Sequence, residues 1–155
     1  MKWVTQYQRL TRVTKGMSTK HMRQFFILVA IPRMLYAADL FLVPGSGMGK
    51  GSKGFISKLA KIQRQATLHI TGVLRSTLTD TIDACTDILP FHLLVEKITH
   101  RAATRLATLP QSHPLERHVA RVENRYVKHH RALVHEILHA FGIHPAEYES
   151  IKPCT

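Results

Sequence analysis

Apolar residues recur every three or four positions along most of this chain, and no segment shows a convincing alternation of apolar and polar residues. A spacing of three to four places side chains on one face of a helix, whereas a half-buried strand alternates at every second residue. The spacing therefore predicts an all-α fold. With 155 residues, of which 45% are hydrophobic, the chain can bury a core, which excludes a disordered basic tail.

Two helices are predicted before the first glycine-rich segment, over residues 3–15 and 18–42. Ser18 is a suitable N-cap, and apolar residues at helical spacing follow it, namely Met22, Phe25, Phe26 and Val29. We expect Pro32 to kink or break the second helix near its middle, because proline lacks the N–H group that a helix interior uses.

The clearest helical pattern covers residues 55–73. Its apolar residues share one face, namely Phe55, Leu59, Ile62, Ala66, Ile70 and Val73. Lys58, Lys61 and Arg64 fall on another face together with Gln65. The pattern predicts an amphipathic helix that packs through one face and leaves the other free to meet an anion.

Three further helices are predicted in the second half. Thr79 is expected to cap a helix of about two turns, and Pro90 to occupy the first position of a helix that runs to Pro110. A loop then leads to a last helix over residues 126–141, which Gly142 ends in the left-handed conformation that suits glycine.

Glycine and proline divide the chain into three predicted regions: basic N-terminal helices over residues 1–44, a glycine-rich linker over 45–54, and a helical region over 55–155. The linker holds five of the eight glycines. It contains a formal GxGxxG pattern at 49–54, but no predicted strand precedes that pattern as a dinucleotide site requires. A phosphate cradle is the alternative interpretation of this segment.

All of the net charge of +12 lies in the first half of the chain. Thirteen basic residues and one acidic residue occur through Thr79, whereas nine of each occur from Asp80 onward. Such an asymmetry is typical of a surface that faces a polyanion, because each neutralised phosphate releases counterions. A solvated basic face without a specific partner explains the charge equally well.

The two cysteines, Cys85 and Cys154, lie far apart and outside any CxxC pair. They indicate neither a disulfide framework nor a cysteine-based zinc site, and favour a reducing intracellular compartment, either cytoplasm or nucleus. The apolar run over residues 25–43 contains Pro32, Arg33 and Asp39. Charges in mid-bilayer are expensive, so we interpret this run as a buried helix and expect no membrane partner.

His135, Glu136 and His139 form an HExxH pattern on the last predicted helix. This pattern places two imidazoles one helical turn apart, where they can hold zinc while the glutamate acts as a general base. The longer form of the motif needs a third histidine where this chain has Pro145. We therefore expect no metal and no cofactor, and keep a small zinc hydrolase as the alternative function.

Several short segments together resemble one protein family, the polyproteins of fungal LINE-type (non-LTR) retrotransposons. The resemblance is to the part after the reverse transcriptase palm and before the RNase H domain. It covers most of the chain and is carried by residues 31–39, 51–60, 63–66, 70–72, 89–94, 101–103, 106–110, 113–115 and 139–142.

The resemblance implies a thumb-like N-terminal region and a helical connector, and no catalytic residue. The aspartates of the palm would lie upstream of Met1, and the RNase H carboxylates downstream of Thr155. We therefore expect a noncatalytic fragment of an RNA-directed DNA polymerase that helps to hold the RNA/DNA primer-template by its backbone. Its partners would be RNA, DNA or a hybrid, and the polymerase and RNase H domains of the parent polyprotein.

Eight basic residues are the candidates for contact with the nucleic acid. Five cluster in the glycine-rich segment and the helix after it: Lys50, Lys53, Lys58, Lys61 and Arg64. Three more come from the N-terminal helices: Arg9, Arg12 and Arg23. A degenerate element without selected activity, unable to fold apart from its parent, is a third hypothesis.

Overall fold

The computed structural model describes residues 2–10, 16–38, 42, 50–124 and 133–150. These residues form helices, turns and connecting segments, with no strand among them, and the predicted all-α fold is confirmed. The helices are α1 Lys2–Leu10, α2 Thr19–Phe25, α3 Ile31–Met34, α4 Lys50–Thr71, α5 Thr79–Thr86, α6 Phe91–Ala107, α7 Glu116–Asn124 and α8 Leu133–Ala140, with a π-helical turn over Phe26–Ala30 and a 3-10 turn over Pro145–Glu147.

The chain divides into two compact units. The first unit combines Met1–Tyr36 with Lys53–Leu94, and the second combines Ala37–Ser52 with Val95–Thr155. This division differs from the three predicted regions, because each unit draws on segments from both sides of the predicted linker. Glycine and proline in the sequence indicate where the chain turns. A compact unit depends instead on which distant segments bury their apolar faces together.

The predicted N-cap of α2 is present, since the Ser18 side chain accepts a hydrogen bond from the backbone N–H of His21. Helical backbone then continues to Met34 through the π turn, where the N–H of Ile31 donates to the carbonyl of Phe26. The wider π turn precedes Pro32, whose ring would clash with the carbonyl four residues earlier in a regular α-helix. The proline thus remodels the helix without breaking it.

The helix predicted to reach residue 42 ends at Met34. Ala37 follows in a turn with φ of 55°, a left-handed conformation that is incompatible with a continuing helix. Residues 11–15, which close the first predicted helix, and residues 39–41 lie outside the described part of the chain.

Helix α4 begins at Lys50, so residues 50–54 of the predicted linker are helical; residues 45–49 are not described. Each added residue of a nucleated helix gains one hydrogen bond, which offsets the cost of about 1 kcal/mol that glycine imposes. An added Cβ at Gly54 would meet nothing within 4 Å. No close contact at this position therefore requires glycine.

The core of the first unit lies between α1, the α2–α3 segment and α4. Tyr7 is 1% exposed and donates its hydroxyl to the carbonyl of Met22 at 3.2 Å. Its ring stacks on Phe25 and meets the edge of Phe26, with centroids 6.2 Å apart in both pairs. Burial raises the pKa of the Tyr7 hydroxyl well above its ordinary value. The buried set is Tyr7, Met22, Phe26, Ala30, Ala66, Ile70 and Ile88.

The second unit has an apolar core built from α6, α7, α8 and the segment after α8: Ala103, Ala107, Val119, Ile137, Leu138 and Ile143. Helix α7 occupies a segment that was predicted to be a loop. Four of its nine residues are charged, and Val119 is the buried apolar residue among its described side chains, so the sequence shows no long apolar stripe. Of the predicted helix over 126–141, Leu133–Ala140 is described as α8.

Gly142 ends α8 as predicted, with φ of 60°. Its N–H donates to the carbonyl of His139, and the N–H of Ile143 donates to that of Leu138. These two bonds and the buried Ile143 side chain form a Schellman motif, which satisfies carbonyls that a helix end leaves unpaired.

The predicted start of α5 is displaced by one residue. Leu78 is its N-cap and provides no side-chain hydrogen bond, while Thr79 is the first helical residue. Pro90 precedes α6, which begins at Phe91, and accepts the N–H groups of Leu93 and Leu94 through its carbonyl.

Candidate functional site

The predicted nucleic-acid residues of α4 share one face of that helix. Lys53, Lys58 and Lys61 are exposed, and Arg64 is half-buried. At 100° per residue these positions fall within an arc of about 140°. We call this surface the basic face, defined by Lys53, Lys58, Lys61 and Arg64. Lys50 is the first residue of α4, and its side chain is not described.

The opposite face of α4 is buried, and this burial fixes the direction in which the basic face points. Its buried residues are Gln63, Ala66, Thr67 and Ile70. Gln63 Nε2 donates to the carbonyl of Leu89 at 2.9 Å, and the Thr67 hydroxyl donates back to the carbonyl of Gln63 at 3.1 Å. An amphipathic helix is therefore present, with buried amide and hydroxyl groups among the apolar residues. Of the residues predicted for its packed face, Ala66 and Ile70 are buried, whereas Phe55 is 46% exposed and Val73, which follows the end of the helix, is 39% exposed.

Arg64 differs from the lysines, because its guanidinium is engaged within the protein. It donates to the carbonyl of Arg75 at 3.0 Å, to that of Thr77 at 2.7 Å, and to the hydroxyl of Thr79. These acceptors lie in the loop between α4 and α5 and at the first residue of α5. Arg64 therefore holds this loop against the helix.

Arg23 is engaged in the same way at the end of α5. Its guanidinium donates to the carbonyl of Thr86 at 2.5 Å, to the carbonyl of Asp87 at 2.9 Å and to the Asp87 carboxylate at 2.7 Å. The last carbonyls of a helix lack intrahelical partners and carry the negative end of its dipole. Arg23 is thus a side-chain cap for α5.

The remaining two candidates come from the N-terminal segment. Arg9 is exposed on α1, and Arg12 lies outside the described residues. Of the eight predicted residues, Lys53, Lys58 and Lys61 are those that the structure brings together with exposed side chains.

A half-open groove of about 650 Å³ adjoins the basic face at the C-terminal half of α4. We call it the α4 groove; it is lined by Gln8 of α1, by Lys61, Gln65, Leu68 and His69 of α4, and by Arg75 of the following loop. Arg64 and Val73 also border it, and none of these described lining residues carries a carboxylate.

One polar contact and one nearby positive charge shape this groove. Gln8 Nε2 lies 3.0 Å from His69 Nε2, which links α1 to α4. Burial, and then the positive charge of Arg75, lower the pKa of the His69 imidazole. The neutral imidazole is therefore favoured, which leaves the cationic charge of the groove to Lys61, Arg64 and Arg75.

Sequence reasoning did not single out Gln8, His69 or Arg75 as site residues. Gln8 and His69 are 61 residues apart in the sequence, and they meet because α1 packs against α4. Arg75 contributed to the charge of the first half, but no pattern of spacing connects it with α1.

A buried carboxyl lies on α5, in the first unit. Asp83 of α5 is 6% exposed, and its Oδ1 has no hydrogen-bond partner, as is also true of Gln63 Oε1. Burial raises the pKa of Asp83, and a hydrogen bond from Gln63 opposes that shift. A proton on Asp83 would supply a donor where two acceptors now lack one.

The HExxH segment lies on α8. Glu136 is half-buried and His139 is exposed, whereas the side chain of His135 is not described. Among the side chains that are described, no three His, Cys, Asp or Glu residues lie close enough together to hold a metal ion. With one of its two imidazoles outside that set, the zinc hydrolase remains a hypothesis from the sequence.

The structure describes one of the two cysteines and part of the apolar run over residues 25–43. Cys85 is an exposed free thiol, and Cys154 lies outside the described residues. In the described ranges, no helix combines the length and the apolar character needed to cross a membrane.

Comparison of the chain with protein-family models, with curated proteins and with solved structures found no match in any of the three. The resemblance to retrotransposon polyproteins therefore stays a prediction from the short segments that carry it.

Proposed function

We propose that this chain is a noncatalytic, nucleic-acid-binding fragment of a retrotransposon reverse transcriptase, and that the basic face helps to hold an RNA/DNA primer-template. The observation that supports this most is the exposure of Lys53, Lys58 and Lys61 on one side of a helix whose other side is buried. In the proposal, the polymerase and RNase H chemistry belongs to other domains of the parent polyprotein.

The dimensions of the basic face suit a phosphate backbone. Lys53 and Lys61 are eight residues apart, which is a rise of about 12 Å along the helix. One strand of a duplex carries a charge about every 3.4 Å of axis, so this length spans roughly three phosphates. Long, mobile lysine side chains can follow such a row without reading the base sequence.

A row of lysines that contacts phosphates can bind a hybrid duplex by its charge and shape. The A-form groove that would display base edges is too deep and narrow for side chains, so proteins recognise such helices mainly by backbone contacts. The fragment would therefore bind many sequences with similar affinity and lose affinity steeply as salt is added.

The test is a salt titration of hybrid binding, measured by fluorescence anisotropy on the full chain. In one variant Lys53, Lys58 and Lys61 are replaced by glutamine. Each lost phosphate contact should lower the slope of log K against log salt by about 1, so we expect a decrease of about 2 to 3.

The matched control replaces the same number of exposed cations on α6, namely Lys97, Arg101 and Arg105, by glutamine. This change removes the same net charge from the second unit and should leave most of the slope in place. Equal losses in both variants would show that binding follows net charge alone, and binding that ignores salt would contradict the proposal.

A further inference from the structure

The α4 groove has a composition that the basic face alone does not require. Leu68 and Val73 give it apolar surface, Lys61 and Arg75 give it positive charge, and Gln65 adds an amide. A backbone contact needs only the charge, whereas apolar walls suit a ring system.

The volume and chemistry of the groove match one nucleotide. Its volume of about 650 Å³ lies within the range of small-ligand sites, roughly 300–1,000 Å³. Unstacked bases bind against apolar surfaces and aromatic or histidine rings, with their edges hydrogen-bonded by amides. The lining offers His69 for the first role and Gln65 for the second.

The position of the groove joins it to the proposed duplex surface. Lys61 belongs to both, so a strand that runs along the basic face from Lys53 towards the C-terminal end of α4 arrives at the groove. A base inside a duplex is paired and stacked, and only an unpaired one can leave the strand at low cost.

We propose that the α4 groove binds a single unpaired nucleotide at the end of a strand that lies on the basic face, with its phosphate on Lys61 and Arg75 and its base against Leu68 and Val73. This inference rests on the proposed function, and it adds a preference for frayed or overhanging ends over blunt ones.

The experiment compares a blunt RNA/DNA hybrid with the same hybrid carrying a one-nucleotide overhang, again by anisotropy on the full chain. Because stacking of one base is worth a substantial factor in affinity, the overhang should bind on the order of fivefold more tightly or better. An abasic overhang, which carries the phosphate without the base, should lose that advantage.

Gln65→Glu places a carboxylate in the groove at an exposed position and should remove the preference for the overhang. Gln24→Glu is the matched control, because it makes the same change at an exposed residue of α2 that does not line the groove. The control should keep the preference.

The outcomes separate the two proposals. A blunt hybrid that does not bind would overturn the proposed function. A blunt hybrid that binds as expected, with no advantage for the overhang or an equal one for the abasic end, would overturn only the nucleotide groove.

Discussion

The two units differ in the side chains that support their helix ends. Helices in both units end through backbone hydrogen bonds at a left-handed residue, Asp87 after α5 in the first unit and Gly142 after α8 in the second. In the first unit, arginine side chains also contact loop and helix-end carbonyls. A count of basic residues therefore overstates the binding surface of the first unit, because part of its charge has a structural role.

The largest expected effect comes from removing an arginine cap. Arg23→Gln should lower the free energy of unfolding by about 2 kcal/mol, because three hydrogen bonds from a charged donor are lost at the end of α5. Urea denaturation monitored by circular dichroism measures this. Arg33→Gln, at an exposed arginine of α3, is the control and should change the stability little. Equal losses would contradict a structural role that is specific to Arg23.

The glycine cap of the second unit can be compared with a helical glycine of α4. Gly142→Ala should destabilise the protein by about 1 kcal/mol, since alanine is strained at φ of 60°. Gly54→Ala should instead stabilise it by about 0.5–1 kcal/mol, because the position is helical and open. Thermal denaturation of both variants decides the point; shifts of the same sign would show that cap geometry is not what matters.

The buried carboxyl of the first unit predicts a pH effect. Because the pKa of Asp83 is raised in the folded state, the folded protein binds more protons than the unfolded chain between the unfolded and folded pKa values. The stabilising effect of this proton is complete below the unfolded pKa and is lost as pH rises through the folded pKa. Asp83→Asn should remove that part of the pH dependence in urea titrations. A carboxyl resonance of Asp83 that titrates below its ordinary pKa would refute this.

The smallest effect on stability, and the sharpest separation of the two kinds of cation, is expected at Lys58. Lys58→Gln should leave the free energy of unfolding unchanged, since the side chain is exposed, and should lower the salt slope of hybrid binding by about 1. Arg23→Gln should lower the free energy of unfolding and leave the salt slope unchanged. If both variants lower the slope equally, the division into structural and free cations is wrong.

Much of the fold could be predicted from the sequence where one pattern dominated. The α4 helix, the Ser18 cap and the Gly142 terminus each depend on local spacing or on one backbone conformation, and each is present. The two ends of the predicted α4 stripe, Phe55 and Val73, are exposed. Val29 was placed on the apolar face of its helix, yet it is 41% exposed, because the π turn rotates the residues that follow Phe26. Periodicity assumes a constant turn, and Pro32 changes it.

The candidate site was predictable only as a set of charges. The exposed lysines follow from the amphipathic pattern of α4, but nothing in the sequence distinguished Arg64 from Lys61, which is one helical turn away. Their difference depends on the loop between α4 and α5, in which the carbonyls of Arg75 and Thr77 accept hydrogen bonds from Arg64. The α4 groove depends on the packing of α1 against α4, a long-range contact that spacing cannot reveal.

The π turn also makes the effect of deleting a residue from this helix depend on Pro32. A π turn holds one residue more than the α-helical turn it replaces, so deletion of the exposed Val29 would restore a regular helix. Phe26 and Ala30 would then be three positions apart and still on one face. The shortened helix would bring the Pro32 ring against the carbonyl four residues before it. During evolution, deletion of Val29 together with replacement of Pro32 should therefore be tolerated far better than deletion of Val29 alone.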